Sequence, residues 1–578
     1  MPSIAFGQPP EPLQPPFVPT APNMLRWIAD QYGDLEAQVR GQQRLTFRQL
    51  ERQSATLARG LLAEGIGKGA RVALLMPNGP SFTVAFMAAA RIGALVAPLS
   101  TLFKPRELGW ALRHGDFQLL MTTTNYLGHD YLGRLEETLP SLAGQTARRL
   151  WLKEAPYLRS ILTWGEGDAP WGVPGVEALT ASAENCPAAS EELLAAVEAN
   201  VAPADLLSMI LTSGSTAEPK AVVHSHGAML RVGWQKSHRF WAVGDPGDRL
   251  IGPRPQFWVA GLAATLLQTL LKGCCLLDPD DLSAAGVLNL IEKEGATGAC
   301  GNLPWLKQFA ADPALKDAGY EVFITALETA AFARRTADGV RFLNPTRASR
   351  APSPAQAPLE RLPHTYGMTE TIAGHTSIPA GELLDEERSG YCGRPMPGVR
   401  LRLCDPATGE VVEHGEIGEI QVAGYSMMDG LYKRERPEVF TPDGWYRTGD
   451  LGVMDAEGYV RFQTRMGEML KIKGANVSPA EVEACLNVLP GIVRSAVVGL
   501  PTPNDDPLLV AVVELRPGQA FDEGAIREAL RRQLSSFKVP RRIFELSNDD
   551  FQFTASGKVI KRGLDAVVAK LIKAERAP

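Results

Sequence analysis

The stretch Leu211-Thr212-Ser213-Gly214-Ser215-Thr216-Ala217-Glu218-Pro219-Lys220 constrains this chain more than any other. Leu206, Leu207, Met209 and Ile210 lead into it as a buried strand would, and Val222 and Val223 leave it as a second strand. Gly214 lets the backbone turn its amides inward, and inward amides can cradle a phosphate. Thr212, Ser213, Ser215 and Thr216 add short donors, and Lys220 adds a positive charge, an arrangement suited to a polyphosphate tail. No glycine-lysine-serine/threonine triplet closes the loop, so it is not a Walker A motif. Ser215 also lacks the flanking glycines of a hydrolase nucleophile elbow. Taken alone, the stretch equally fits a polar surface turn between two strands.

A chain of 578 residues holds a large core and more than one domain. Its 45 % hydrophobic and 21 % charged content is that of a soluble globular protein. With a net charge of −6 and no long basic block, nucleic acid is not an expected partner. Seven cysteines without metal-site spacing point to reduced thiols and a cytoplasmic protein, with Cys274 and Cys275 in the core. No secretory signal is expected at the N-terminus, and no apolar run reaches the length of a bilayer span.

Residues 1–22 are proline-rich and read as an extended arm or a disordered tail. Leu50, Leu57 and Leu61 align on one face of a helix from about Phe47 to Leu62. Strands follow at Arg71 to Met76, Ala94 to Leu99 and Asp116 to Thr122, with a helix opening at Pro80. This alternation predicts an α/β domain whose parallel sheet carries helices on both faces. Between Gly398 and Phe462, short alternating runs separated by turns predict a small β-rich subdomain at about 398–463. Ser478-Pro479-Ala480-Glu481 is a capping box that starts a helix. Strands at Val493 to Leu500 and Leu508 to Leu515 and a helix at Asp522 to Leu534 complete a compact α+β domain.

Tyr366-Gly367-Met368-Thr369-Glu370 gathers a ring, a glycine, a hydroxyl and a carboxylate within five residues, enough to serve one nucleotide. With Thr212 to Lys220 it resembles the adenylate-forming (AMP-binding) superfamily, in its acyl- and aryl-CoA synthetase branch. The resemblance implies a large N-terminal α/β domain over 23–464 and a small mobile C-terminal α+β domain over 465–578. The hinge then falls near 465–467, at Gly467, whose backbone freedom suits rotation.

Site roles follow from the same resemblance. Thr212, Ser213, Gly214, Ser215, Thr216 and Lys220 hold the ATP phosphates, with Gly367 and Met368 beside the nucleotide. Tyr366 stacks on adenine, Thr369 touches the α-phosphate and Glu370 holds magnesium, a cation that prefers oxygen ligands shared with substrate phosphates. Asp450, in Thr448-Gly449-Asp450, and Arg465 reach the ribose. Trp258 and Gly261, in Pro253-Arg254-Pro255-Gln256-Phe257-Trp258-Val259-Ala260-Gly261, border the acyl pocket and the coenzyme A route ahead of a long apolar helix. In amino-acid-activating relatives an aspartate occupies the Trp258 position; an indole cannot pair with an ammonium, which argues against an amino-acid substrate. Lys473 and Gly474 belong to the loop that meets the thiol donor, and Lys558 is the lysine of adenylation.

The implied activity is a carboxylate–CoA ligase using ATP, magnesium and coenzyme A on a fatty, aryl or alicyclic acid. Loading of a separate carrier protein and non-catalytic binding of nucleotide or acyl groups remain as alternatives. The oligomeric state is open, with a homodimer among the candidates. One stretch departs from the family pattern. Thr325 to Thr329 lacks the glycine expected beside adenine, and Val340 to Pro363 does not read as a strand or helix of a packed core. That stretch reads as a flexible insertion or a segment translated out of frame.

Overall fold

The computed structural model describes residues 1–578 except 10, 147–148, 168, 213–219, 241–243, 302, 327–328, 338, 345–364, 379–382, 467–469, 473–474, 501–507, 535–537, 554–558, 562 and 576–578. Two compact units emerge: Met1–Ile4, Arg402–Gln421 and Arg447–Pro578 form one, and Ala5–Leu401 with Val422–Tyr446 the other.

In the larger unit, one sheet runs in the order Val173–Pro174, Ser160–Trp164, Leu119–Thr123, Arg71–Leu75, Leu95–Pro98, Leu206–Thr212, Lys220–Ser225 and Gly430–Leu431. The pairs are parallel as far as Leu206–Thr212, and the last two are antiparallel. Period-two alternation sends Val72, Leu74 and Val96 into one hydrophobic cluster and Ala73, Leu75, Leu95 and Ala97 into another. Both faces are therefore covered, which explains why these strands read as continuous apolar runs.

The helix Phe47–Ala63 closes the first cluster with Leu50, Leu57 and Leu61, all buried. A capping box starts it: Thr46 Oγ1 accepts from Gln49 N at 3.2 Å, and Gln49 Oε1 accepts from Thr46 N at 2.9 Å. A second sheet has the parallel core Gly298–Cys300, Arg249–Ile251, Cys275–Leu277 and Glu36–Arg40. Antiparallel strands flank that core, Gln43–Thr46 on one side and Thr329–Thr336 with Tyr320–Ala326 on the other.

Of the two readings of 1–22, the extended arm is the one seen over its described residues up to Thr20: Gly7 N donates to Val399 O at 2.8 Å and Leu13 N to Gln235 Oε1 at 3.0 Å. One expectation needs correction: the segment from Val340 begins as packed structure. Gly339–Phe342 is a strand paired antiparallel with Thr329–Thr336, and buried Asn344 donates to Asp248 Oδ2 at 2.5 Å. Backbone pairing to an existing edge supplied what the residue composition did not advertise. Residues 345–363 lie outside the described residues.

In the smaller unit, Ile492–Leu500, Leu508–Leu515 and Arg542–Glu545 form a three-stranded sheet. The helices Pro479–Asn487 and Glu523–Arg531 pack on one face, through Val482, Leu486 and Leu530, and Leu564–Glu575 packs on the other through Leu564 and Val568. The anticipated capping box at Ser478 is only half made. Ser478 Oγ accepts from Glu481 N at 3.3 Å, but the Glu481 carboxylate turns away to Lys538 Nζ at 2.7 Å.

Several buried polar groups are held by specific partners. Arg91, 2 % exposed, reaches Glu198 at 2.5 Å, Glu51 Oε1 at 2.9 Å and Ser54 Oγ at 2.9 Å, and Arg26 bonds the second Glu198 oxygen at 2.5 Å. Burial pushes the imidazoles of His224 and His226 down to about 4. His375 is pushed down to about 3, by burial first and the Lys236 charge second.

Glu198→Gln leaves the Arg91 guanidinium short of a counter-charge and should cost about 3 kcal/mol, read as a lower denaturant midpoint. The three histidines set the acid limb of stability. Their folded pKa values lie below the unfolded value of about 6.5, so their contribution is present above that pH and is lost as pH falls towards about 4. Each should cost about 2 kcal/mol at pH 5, and urea titrations at pH 7 and pH 5 should show His226→Gln to be the less acid-sensitive protein.

Candidate functional site

Thr212 ends one strand and Lys220 begins the next, and the two are register partners across the antiparallel pair. Both are half-buried. Ser213, Gly214, Ser215 and Thr216 lie outside the described residues, so the structure places the two posts of the loop. The posts stand at the carboxyl end of Leu206–Thr212, the end of a parallel sheet where ligands bind in open α/β folds.

The outer edge of Lys220–Ser225 is filled by the segment 428–432. Tyr432 N donates to Ala221 O at 2.8 Å, Asp429 N to Val223 O at 2.8 Å, and Asp429 Oδ2 accepts from Ser225 N at 2.8 Å. Met428 N then donates to Glu370 O at 2.8 Å. From the same strand, fully buried His224 donates through Nε2 to Thr369 O at 2.8 Å. The carbonyls of Thr369 and Glu370 are thus both fastened to the frame that carries Lys220. The Glu370 side chain is half-buried, and its Oε1 accepts the Tyr446 hydroxyl at 3.0 Å.

Gly367–Met368 pairs with Ala373–Gly374 in a short hairpin. A Cβ on Gly367 would lie 2.2 Å from Ala373 O, so only glycine permits this approach. Tyr366, 7 % exposed, stands edge-on to His375 with centroids 5.0 Å apart. Thr371 Oγ1 accepts from Met368 N at 3.1 Å and lies 2.9 Å from both Ala373 O and His375 Nδ1.

Trp258 and Gly261 stand on a separate frame, carried off the end of Arg249–Ile251. Asn78 holds that segment twice, accepting from Gln256 N at 2.8 Å and donating to Arg254 O at 2.9 Å. Behind it, Asp278 receives Gln38 Nε2 at 2.6 Å and Gln256 Nε2 at 3.3 Å, and burial pushes its carboxyl up to about 7. Trp258 is half-buried, edge-on to Phe257 at 5.1 Å, and caps a helix that runs from Val259 to Lys272 through a π-helical stretch at Leu262–Leu267. A Cβ on Gly261 would lie 1.9 Å from Pro255 O.

In the smaller unit, Asp450 and Arg465 are register partners with Nε and Oδ1 3.7 Å apart. The turn that presents Asp450 is fixed by buried Glu419, which accepts from Arg447 Nε at 2.7 Å and Gly449 N at 3.2 Å. Gly467, Lys473, Gly474 and Lys558 lie outside the described residues. Ile472 and Ala475 pair across 473–474, and Phe553 and Val559 bridge across 554–558.

Sequence reasoning did not single out His224, Lys236, Glu419, Asn78 or Asp278. Each acts on a partner at least 20 residues away in the chain or through a buried bond, and neither leaves a local pattern. Among the described residues no group of three or more histidine, cysteine, aspartate or glutamate side chains is gathered for a metal ion.

The profile of the family described as AMP-binding enzyme matches residues 25–432, and that of the AMP-binding enzyme C-terminal domain matches 481–558. The chain is 30 % identical over 527 residues to the sulfoacetate–CoA ligase of Cupriavidus necator, covering 89 % of this chain and 91 % of that one. Over 525 residues it is 29 % identical to a feruloyl-CoA synthase of an Amycolatopsis species, covering 89 % and 92 %. The fold matches the anthranilate CoA ligase AuaEII in complex with anthranoyl-AMP, with a TM-score of 0.72, 22 % identity, and 97 % and 99 % coverage. It also matches ATP-bound MatB from Rhodopseudomonas palustris, with a TM-score of 0.71, 23 % identity, and 94 % and 98 % coverage. Thr212, Lys220 and the 366–370 turn fall within the matched span, and the chain belongs to the AMP-binding enzyme family.

Proposed function

We infer that this chain is an ATP-dependent carboxylate–CoA ligase that makes an acyl-adenylate and then an acyl-CoA. The observation that carries this reading is the joint anchoring of Lys220, Thr369 and Glu370 on one strand frame. That frame carries a cation, a hydroxyl and a carboxylate, with Tyr366 beside the latter two in sequence to carry adenine.

A carboxylate substrate is already ionised near neutral pH, so its attack on the α-phosphorus needs no general base. The obstacle is repulsion between two anions, together with the charge that builds on departing pyrophosphate. Lys220 with the loop amides, and Lys558 from the C-terminal part, would offset that charge electrostatically. Magnesium fits Glu370, a half-buried carboxylate oriented by Tyr446, and when bound would neutralise charge on the phosphate oxygens. Asp450 with Arg465 would hold the ribose.

In the second step the coenzyme A thiol attacks the acyl carbonyl, forming the thioester as AMP leaves. Lys473 and Gly474 would line that approach, while Lys558 serves only the first step. The same C-terminal part would present the two in turn, pivoting at Gly467. Phe257 and Trp258 offer an apolar, aromatic border to the acid, which suits an aryl, alicyclic or fatty acyl group. Seven free cysteines suit a reducing compartment such as the cytoplasm.

The test is a carboxylic-acid panel with ATP, magnesium and coenzyme A, following pyrophosphate, AMP and thioester. One class of apolar acid should yield both AMP and thioester. Lys558→Ala should slow adenylation by roughly 10²–10³-fold, while thioester formation from preformed adenylate stays within a few fold. Pyrophosphate exchange with none of the acids would refute the reading.

A further inference from the structure

We propose that Lys236 is a positioning residue for adenylation, holding the strained turn that aims Thr369 and Glu370. The inference rests on the functional reading above for the roles of those two residues. Ile372 and Ala373 follow Glu370 closely, and both have left-handed backbones, with φ of 56° and 65°. A β-branched residue is a true outlier there, and such a turn persists only where its surroundings over-determine it. Strain of this kind marks places where geometry matters more than comfort.

Lys236 supplies the constraint at the strained residue itself. Its Nζ donates to Ile372 O at 2.8 Å, and the side chain is only 1 % exposed. A bond from an ammonium to a carbonyl is stronger than one between neutral groups, and burial makes its loss more costly. The lysine stands at the C-terminal end of the helix His226–Gln235, where the chain passes into a π-helical turn, Lys236–Phe240. That end is itself immobilised, because Gln235 Nε2 donates to the Tyr425 hydroxyl at 2.7 Å and to Pro397 O at 3.3 Å. The ammonium therefore presses on the turn from a fixed post.

The other restraints hold the flanks of the turn and the Ile372 amide, which donates to Thr369 O at 3.2 Å. His224 and Met428 hold the carbonyls of Thr369 and Glu370, and Thr371 ties Met368 to Ala373. Without Lys236, the strained Ile372 carbonyl loses its ammonium donor, and any relief of that strain falls between Glu370 and the Ala373–Gly374 strand. Lys236 touches no reacting atom in this scheme. It acts through the Ile372 carbonyl on the direction of the Glu370 carboxylate.

Lys236→Met and the double variant Lys236→Met/Ile372→Gly test this. Glycine takes the left-handed conformation without strain, so the double variant needs no clamp; Ile372 is 1 % exposed in the core, so Ile372→Gly alone is the reference for the packing lost with it. Amide hydrogen exchange over 367–375 is measured in the ligand-free protein, and MgATP affinity is measured by calorimetry. Lys236→Met should speed exchange across the turn at least tenfold and weaken MgATP at least tenfold. The double variant should match Ile372→Gly in both to within a few fold. Unchanged protection in Lys236→Met, or equal losses from Lys236→Met with and without Ile372→Gly, would overturn the proposal. An unmodified protein that fails to bind MgATP would refute the ATP reading and Lys236's part in it, with hydrogen exchange still deciding the clamp.

Discussion

The strand Lys220–Ser225 is hydrogen-bonded on both edges, and the rest of the site depends on that. One edge pairs with Leu206–Thr212, which fixes the spacing of the two loop posts. The other is taken up by 428–432, which leaves no open ladder for a second chain along that part of the sheet and delivers Met428 N to Glu370. His224 links the strand interior to Thr369. A shift of one residue in this pairing would turn His224 away from the turn and Lys220 away from its partner Thr212, because side chains alternate faces with period two. The strand pair Leu206–Thr212 and Lys220–Ser225, the 366–370 turn and the segment at 428–432 are therefore one mechanical piece.

That piece sits on a core whose charges are compensated or absent. Arg91 and Glu198 are paired at depth with several additional hydrogen bonds, which is the condition under which a buried ion pair survives. The buried histidines remain neutral near neutral pH, and each makes a specific bond: His224 to a carbonyl, His226 from Ala21 N at 3.1 Å, and His375 to a threonine hydroxyl. As neutral rings they give directional support without adding a charge of their own. The anchoring of Ala21 by His226 also explains why the helix Ala21–Tyr32 starts where it does, since Thr20 offers it no side-chain cap.

Much of the fold was legible because its signals are local. The alternation of apolar runs and helices marked the parallel sheet, and Leu50, Leu57 and Leu61 marked a helix that the structure places within a residue or two of its expected ends. The 366–370 turn stood out in the sequence because its ring, hydroxyl and carboxylate are contiguous, and it lies within the matched family span. What escaped is what depends on distant partners. Glu481 followed a capping pattern in sequence, yet a full charge on Lys538 outcompetes a backbone amide for its carboxylate. Gly339–Phe342 looked unfit for a core and became a strand because a neighbouring edge was available. Lys236 reads as an ordinary surface lysine near the end of a helix, and only the fold brings a carbonyl within its reach.

The two frames that present the site differ in how they respond to protons. The frame under Thr369 and Glu370 is held by backbone amides, a lysine and His224, whose imidazole burial pushes down to about 4. The frame under Trp258 includes Asp278, whose carboxyl is raised to about 7 by burial among Gln38, Gln256 and Asn78. Arg40, paired with Asp280, pulls that value down, while Asp280 pushes it up. A charge at Asp278 favours the donors of Gln38 and Gln256, and a proton there favours an acceptor instead, so the bond that seats Gln256 depends on which form is present. The border of the proposed acyl site is thereby the more adjustable half, and the proposed nucleotide turn the more rigid one. That division suits a family in which the nucleotide stays the same while the acid varies.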